Sequence, residues 1–278
     1  MKKVILGISM LLSFSLSSQS QYLFQEIMSL QQATQERKTY ADKNIKKIKV
    51  KSFEEDGSVS KRFFCEKKFS KNHSEYKLYT RTGVGDKSLM TGFFDGNGML
   101  IKTIDSSETL VKICSILYDN QKRVSETKTN SRSKDEDFVI ELTELHSYAY
   151  ENDNSLNPSH MWKIKQGKDS TQILFQTDEN GNIAIEKNAK TGAKYFYYYD
   201  TQNKITDIVH QSEYKTNLIP DYIFEYDALG QLIRTTTAAS TVREMTNWLY
   251  DYKDGLKVLE VIKSGMGERL GRFEYEYE

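Results

Sequence analysis

An acidic residue recurs along most of the chain at intervals of 22 to 41 residues, at Glu54, Asp95, Asp119, Glu151, Asp178, Asp200, Asp227 and Asp251, with a partial copy ending at Glu278. Five positions after each of the eight full copies stands an aliphatic residue: Val59, Leu100, Val124, Leu156, Ile183, Ile205, Leu232 and Leu256. Three positions after the acid come Gly57, Gly98, Asn154, Gly181, Asn203 and Gly230, with Lys122 and Asp254 as exceptions and Gly255 following the latter. Gly and Asn adopt positive φ most readily. The pattern therefore reads as a β-hairpin: the acid caps a tight turn, Gly or Asn takes the left-handed position, and the aliphatic residue opens the return strand. Repeated along the chain, it predicts an all-β fold, a large curved antiparallel meander sheet of about eight repeated β-hairpins.

The strands leading into these turns carry an aromatic stripe. Offsets of one, three and five residues before the acid read Tyr118, Ile116 and Cys114; Tyr150, Tyr148 and His146; Tyr199, Tyr197 and Tyr195; Tyr226, Phe224 and Tyr222; Tyr250, Trp248 and Thr246; and Tyr277, Tyr275 and Phe273. Alternation at period two places these on one face of a pleated sheet. The opposite face mixes Phe93, Leu117, Tyr198 and Leu249 with Gln176, Glu225 and Glu276, so some strands are expected to be covered on both sides. The first copy fits worst, because Ile48 and Val50 fall out of phase with Phe53. Before it, Leu23, Ile27 and Leu30 recur at helical spacing in a polar segment, predicting a helix over residues 22–43 that covers an end or an open edge of the sheet. Residues 127–137 and 151–159 are polar and read as long loops.

Met1, Lys2 and Lys3 form a basic start, and residues 4–16 an apolar run too short to span a bilayer comfortably. Ser18, Gln19 and Ser20 then place serine at the third and first positions before a cut at Gln21, with cuts after Ser17 or Ser18 as alternatives. The division is a signal peptide over 1–20, a helical segment over 21–47 and a hairpin-repeat domain over 48–278, exported to the periplasm or beyond the cell with no transmembrane segment left after the cut. The two cysteines, Cys65 and Cys114, either pair as one disulfide in an oxidising compartment or stay as buried thiols. With 39 basic and 39 acidic side chains the formal charge is zero, which gives no footprint for nucleic acid.

The run from Tyr226 through Asp227, Ala228, Leu229, Gly230, Gln231, Leu232 and Ile233 to Arg234 resembles the tyrosine-aspartate (YD) repeat of the Rhs family, and weaker copies start at Phe94, Tyr118, Tyr199 and Tyr250. The resemblance covers roughly residues 48–278. Large members of that family build β-sheet shells, some enclosing toxins, while others act at the cell surface or have been linked to carbohydrate binding. This chain is far shorter than a closed shell and its intervals are irregular. The resemblance implies a secreted, repetitive β-sheet scaffold.

No His-Glu-x-x-His helix, Gly-x-Ser-x-Gly elbow or Gly-x-x-x-x-Gly-Lys loop occurs in the sequence. The turn residues Asp95, Gly98, Asp119, Asp178, Gly181, Asp200, Asn203, Asp227, Gly230, Asp251 and Gly255 recur once per hairpin and are read as structural. The four histidines are dispersed and read as structural too, and neither a metal site, a cofactor nor a catalytic residue is expected. Five consecutive aromatics, residues 195–199, cannot share one face. If Tyr195, Tyr197 and Tyr199 are core, Phe196 and Tyr198 project to the other side. These two, with Trp248, are the candidate ligand-binding residues. The expected role is a non-enzymatic exported scaffold that binds an envelope protein or polysaccharide. The alternatives are a carbohydrate-binding or carbohydrate-processing protein using exposed aromatics, and a lipid carrier built around an apolar cavity.

Overall fold

The computed structural model describes residues 21–83, 87–135, 140–215, 218–237 and 244–278, so the stretch read as a signal peptide lies outside the described residues. A π-helical turn, Leu23–Met28, runs into an α-helix, α1 (Ser29–Asp42). Eighteen strands follow among the described residues: β1 (Lys47–Phe53), β2 (Phe64–Phe69), β3 (Glu75–Arg81), β4 (Lys87–Phe94), β5 (Leu100–Ser107) and β6 (Leu110–Tyr118). Next come β7 (Val124–Ser133), β8 (Glu141–Ala149), β9 (His160–Lys165), β10 (Asp169–Thr177), β11 (Ile183–Asn188) and β12 (Lys194–Tyr199). The last six are β13 (Ile205–Gln211), β14 (Tyr222–Tyr226), β15 (Leu232–Thr237), β16 (Thr246–Lys253), β17 (Leu256–Ser264) and β18 (Arg269–Tyr277).

Each strand pairs antiparallel with the next in sequence, and β1 pairs with β18 from Ile48 opposite Tyr277 to Phe53 opposite Arg272. The meander is therefore closed into an 18-stranded barrel, which corrects the expectation of an open curved sheet of about eight hairpins. The physical reason lies in β1. Its inward residues Ile48, Val50 and Ser52 are buried, while Lys47, Lys49 and Lys51 turn outward and form ion pairs with Glu276 and Glu278. The backbone completes the seam where the Lys46 and Lys47 N–H groups donate to the Glu278 carbonyl at 2.6 and 2.9 Å. With the two edges paired to each other there is no edge for the N-terminal helix to cover. The segment out of phase with the repeat is the one that closes the ring.

The repeat has a recurring local geometry. At Asp95, Asp119, Asp178, Asp200 and Asp227 one carboxylate oxygen accepts the N–H groups two and four residues on, at 2.8–2.9 Å. The residue three after the acid has positive φ in all five, Gly98, Lys122, Gly181, Asn203 and Gly230. A bulge just before the turn sets the tyrosine or its equivalent against the aliphatic residue, as in Tyr118 against Val124 and Tyr226 against Leu232. The tyrosine hydroxyl then reaches one hairpin back: Tyr118 donates to the Leu100 carbonyl, Tyr150 to Val124, Tyr199 to Ile183, Tyr226 to Ile205 and Tyr252 to Leu232, at 2.8–3.0 Å. Each acceptor is the aliphatic residue of an earlier copy. In the copy read from Asp251, that acid lies inside β16, the ladder position falls to Tyr252, and the turn is made by Asp254 and Gly255.

One face of every strand is packed. Tyr76, Leu100, Ile116, Met161, Ile173, Tyr197, Ile208, Ile262 and Phe273 belong to one buried cluster that also contains Leu23, Ile27, Leu30 and Ala33 of the helical segment. The helix touches inward side chains of β2, β4, β7, β8, β11, β14 and β18, which lie all around the ring, so it occupies the barrel interior. Residues 127–137, read as a loop, begin instead inside β7. Thr127, Thr129 and Ser131 face inward there and Lys128, Asn130 and Arg132 outward, so the strand alternates without the hydrophobic signal that normally reveals one.

Candidate functional site in the barrel interior

The interior is largely apolar, and its buried charged side chains lie on the helix and on several strands. Glu26 shares the helix face of Leu23, Ile27 and Leu30 and is buried with them. Its carboxylate accepts a hydrogen bond from the Thr127 hydroxyl and, at 2.7 Å, from His146 Nδ1. His146 Nε2 donates in turn to Glu144 at 2.9 Å, and Lys163 lies 3.2 Å from the same carboxylate and donates to the Tyr22 hydroxyl at 2.9 Å. The Tyr22 ring stands edge-on to the imidazole with centroids 5.0 Å apart. Burial alone would lower the His146 pKa, but the Glu26 and Glu144 carboxylates override it and raise it to about 9. Burial would likewise raise Glu144, yet His146 and Lys163 bring it down to about 2. Held charged between two acids, His146 has no free lone pair with which to act as a base.

Further along β11, Glu186 accepts the Tyr22 and Leu23 backbone N–H groups at 3.2 and 3.0 Å and the Tyr197 hydroxyl at 3.0 Å. These donors lower its pKa, but burial dominates and pushes it up to about 7. At the other end of α1, Lys67 lies 3.8 Å from Glu36 and faces the rings of Tyr40, Phe69 and Tyr76, at 4.5 Å from the last. Lys257 pairs with buried Glu260 at 2.8 Å, and the Tyr275 hydroxyl donates to the same acid at 2.9 Å. A cavity of about 200 Å³ opens between these groups, walled by Tyr40, Tyr252, Tyr275 and Tyr277 with Gln32 and Gln35 of the helix. A shallower groove of about 580 Å³ lies at one rim, between Phe64, Tyr79 and Leu89 and the cations Arg81, Lys87 and Lys134.

The residues singled out from sequence do not converge. Tyr198 is half exposed on the outer wall, with Phe196 partly buried two positions back on the same face and Asp207 directly across on β13. Trp248 points inward and is 9 % exposed. Cys65 and Cys114 are both buried free thiols, and burial pushes Cys65 up to about 12. Glu26, Glu144, Glu186 and Lys67 were not singled out. Their signal was phase: Glu26 stands on the apolar helix face, and Glu144 lies two residues before His146 on the aromatic face.

No family model matches the chain, and no curated protein matches it. Among solved structures, a porin-like protein from Bacteroides uniformis is similar over 84 % of this chain and 98 % of its own, at 10 % identity and a TM-score of 0.37. The Photorhabdus luminescens Tc holotoxin pore carrying a TccC3 mutation is similar over 78 % of this chain but 14 % of its own, at 10 % identity and a TM-score of 0.36. The TcdB2-TccC3 complex is similar over 87 % of this chain and 17 % of its own, at 10 % identity and a TM-score of 0.30.

Proposed function

We propose that the chain is an exported, non-enzymatic barrel scaffold that binds a protein partner of the envelope through its outer wall. The observation that carries this reading is the filled interior: among the described residues the barrel packs its own helix against strands all around the ring, in the space a solute channel would need. The wall points the same way. A membrane-spanning barrel needs an outward apolar band about 25 Å tall. Here the outward positions include Lys47, Lys49 and Lys51 of β1, Glu126, Lys128 and Arg132 of β7, and Arg272, Glu274 and Glu276 of β18, which belong in water. No helix among the described residues is long and apolar enough to cross a membrane. A lipid carrier needs an empty apolar sleeve, and the interior cavity is bordered by Glu36, Lys67 and Lys257.

Carbohydrate binding is the second reading, favoured by Tyr198, an aromatic face open to solvent with the Asp207 carboxylate opposite it. A thermal-shift screen against peptidoglycan fragments and a polysaccharide panel separates the two. A stabilisation abolished by Tyr198→Ala supports the sugar reading. Silence across the panel, followed by a defined envelope protein cross-linked to the outer wall, supports the protein-partner reading. Silence in both experiments refutes the scaffold.

A further inference from the structure

We infer that cutting the chain between Ser20 and Gln21 creates a charged amino terminus that docks against Glu186 inside the barrel, an inference that rests on the export reading above. Glu186 is 1 % exposed and has three hydrogen-bond donors, all neutral: the N–H groups of Tyr22 and Leu23 and the hydroxyl of Tyr197. The other inward glutamates have cations: Glu26 has His146, Glu144 has His146 and Lys163, Glu36 has Lys67, and Glu260 has Lys257. Among the described residues no Lys, Arg or His forms an ion pair with Glu186. A buried carboxylate without a counter-charge is costly, and proteins normally supply a partner or leave the group neutral.

The missing charge has an evident source one residue upstream of its donors. Gln21 is 7 % exposed, and its carbonyl already accepts the Gln25 N–H at 2.8 Å as part of the first helical turn. Its nitrogen therefore belongs to the set of N–H groups at the helix start that point away from the helix and lack an internal partner, the same set as those of Tyr22 and Leu23. Left in a peptide bond, this nitrogen offers one neutral N–H. Released by hydrolysis of the bond to Ser20, it becomes an ammonium with three donors beside the acid. The serines at Ser18 and Ser20 mark that bond as the cut. While the bond is intact, Glu186 keeps a carboxyl raised to about 7 by burial, so it is partly neutral at the pH where the freed amine is still charged. Removal of the leader thus converts a poorly satisfied acid into an ion pair that fastens the helix inside the ring.

The test uses the full chain expressed in an exporting host, with the exported product isolated and its amino terminus read by mass spectrometry. Reductive dimethylation with formaldehyde and cyanoborohydride near pH 7 is then followed at the α-amine, native and unfolded, with lysine side chains as the internal reference. The expected product starts at Gln21 with a free amine. Its native labelling is at least about tenfold slower than in the unfolded chain, the rate effect of holding an amine one or more pKa units toward its charged form. Glu186→Gln restores fast labelling, and if that variant does not accumulate, the native-to-unfolded ratio of the unsubstituted protein decides. A terminus at another residue, a Gln21 blocked as pyroglutamate, or equal labelling in both states overturns the docking. Retention of Met1 in the envelope fraction overturns the cut and with it the docking but leaves export standing, whereas no export at all overturns the export reading as well, so the two failures are distinguishable.

Discussion

Replacing Glu26 by Gln removes one of the two carboxylates that grip His146 while keeping the side chain's length and an oxygen for the Thr127 hydroxyl. In the native protein the His146 pKa is raised from 6.5 to about 9, against a burial effect of opposite sign, by Glu26 first and Glu144 next. That rise corresponds to about 3 kcal/mol of preference for the charged imidazolium in the folded state. Because the folded value lies above the unfolded one, the contribution is complete below pH 6.5 and disappears as the pH climbs through about 9. Glu26 supplies the larger share, so Glu26→Gln is expected to cost roughly 2 kcal/mol at pH 6, lowering the melting temperature by roughly 4–8 °C. Near pH 10 the imidazole is neutral in either protein, the buried Glu26 charge no longer has a cation, and the substitution becomes close to neutral or stabilising. Urea unfolding of both proteins at pH 6 and pH 10, with an NMR titration of the His146 ring, measures the difference. An equal loss at both pH values, or a His146 that titrates near 6.5 in the unsubstituted protein, refutes the reasoning.

Other consequences follow from the repeat and the thiols. Tyr226→Phe deletes the hydroxyl bond to the Ile205 carbonyl at 2.9 Å and should cost about 1 kcal/mol in urea unfolding, whereas an unchanged midpoint would remove the tyrosine ladder as a source of stability. Lys122 holds a φ of 65° that suits Gly better than a side chain, so Lys122→Gly should stabilise by about 0.5–1 kcal/mol; a destabilisation would mean that the lysine side chain matters more than its backbone. Both thiols have pKa values raised by burial, so iodoacetamide at pH 8 should leave Cys65 and Cys114 unmodified in the native protein and label them on unfolding; rapid native labelling would contradict the packing.

The hairpin unit was legible because its chemistry is local. An aspartate that accepts two N–H groups within four residues, and a glycine at positive φ three residues on, need nothing from elsewhere in the chain, and the tyrosine spacing follows from the hairpin length. Closure was not legible because it depends on β1 meeting β18 across more than two hundred residues, and no periodicity records which edges pair. The same limit hid the second half of β7. Its inward Thr127 is polar because it serves Glu26 on the helix, and without knowing that a helix fills the interior, the alternation of Thr and Ser with Lys and Asn looks like a loop. The interior charges were half legible. Glu26 breaks an apolar helix face, which is a visible signal, but its partner His146 stands 120 positions away and nothing in the spacing joins them.

The seam between β1 and β18 poses the question of which side holds the ring shut. Outside, Lys47, Lys49 and Lys51 pair with Glu276 and Glu278, but all five side chains are substantially open to solvent, where salt screens such pairs and holding long side chains in place costs entropy. Inside, Phe273 is fully buried and packs its ring 5.4 Å from Phe63, opposite Ser52 and beside the closing strand. The apolar inner face should therefore carry the closure and the charged outer face should set only its register. Changing Lys47, Lys49 and Lys51 together to Gln is expected to shift the melting temperature by no more than a few degrees, and by less at high salt. Phe273→Ala is expected to cost about 3–5 kcal/mol, through lost burial and the cavity left behind. Hydrogen exchange at the Glu274 and Glu276 amides, which face β1 in the ladder that also joins Lys47 and Glu278, distinguishes local opening of the seam from global unfolding. If the triple lysine variant opens the seam while Phe273→Ala leaves its amides protected, closure belongs to the ion pairs and the ranking argued from burial is wrong.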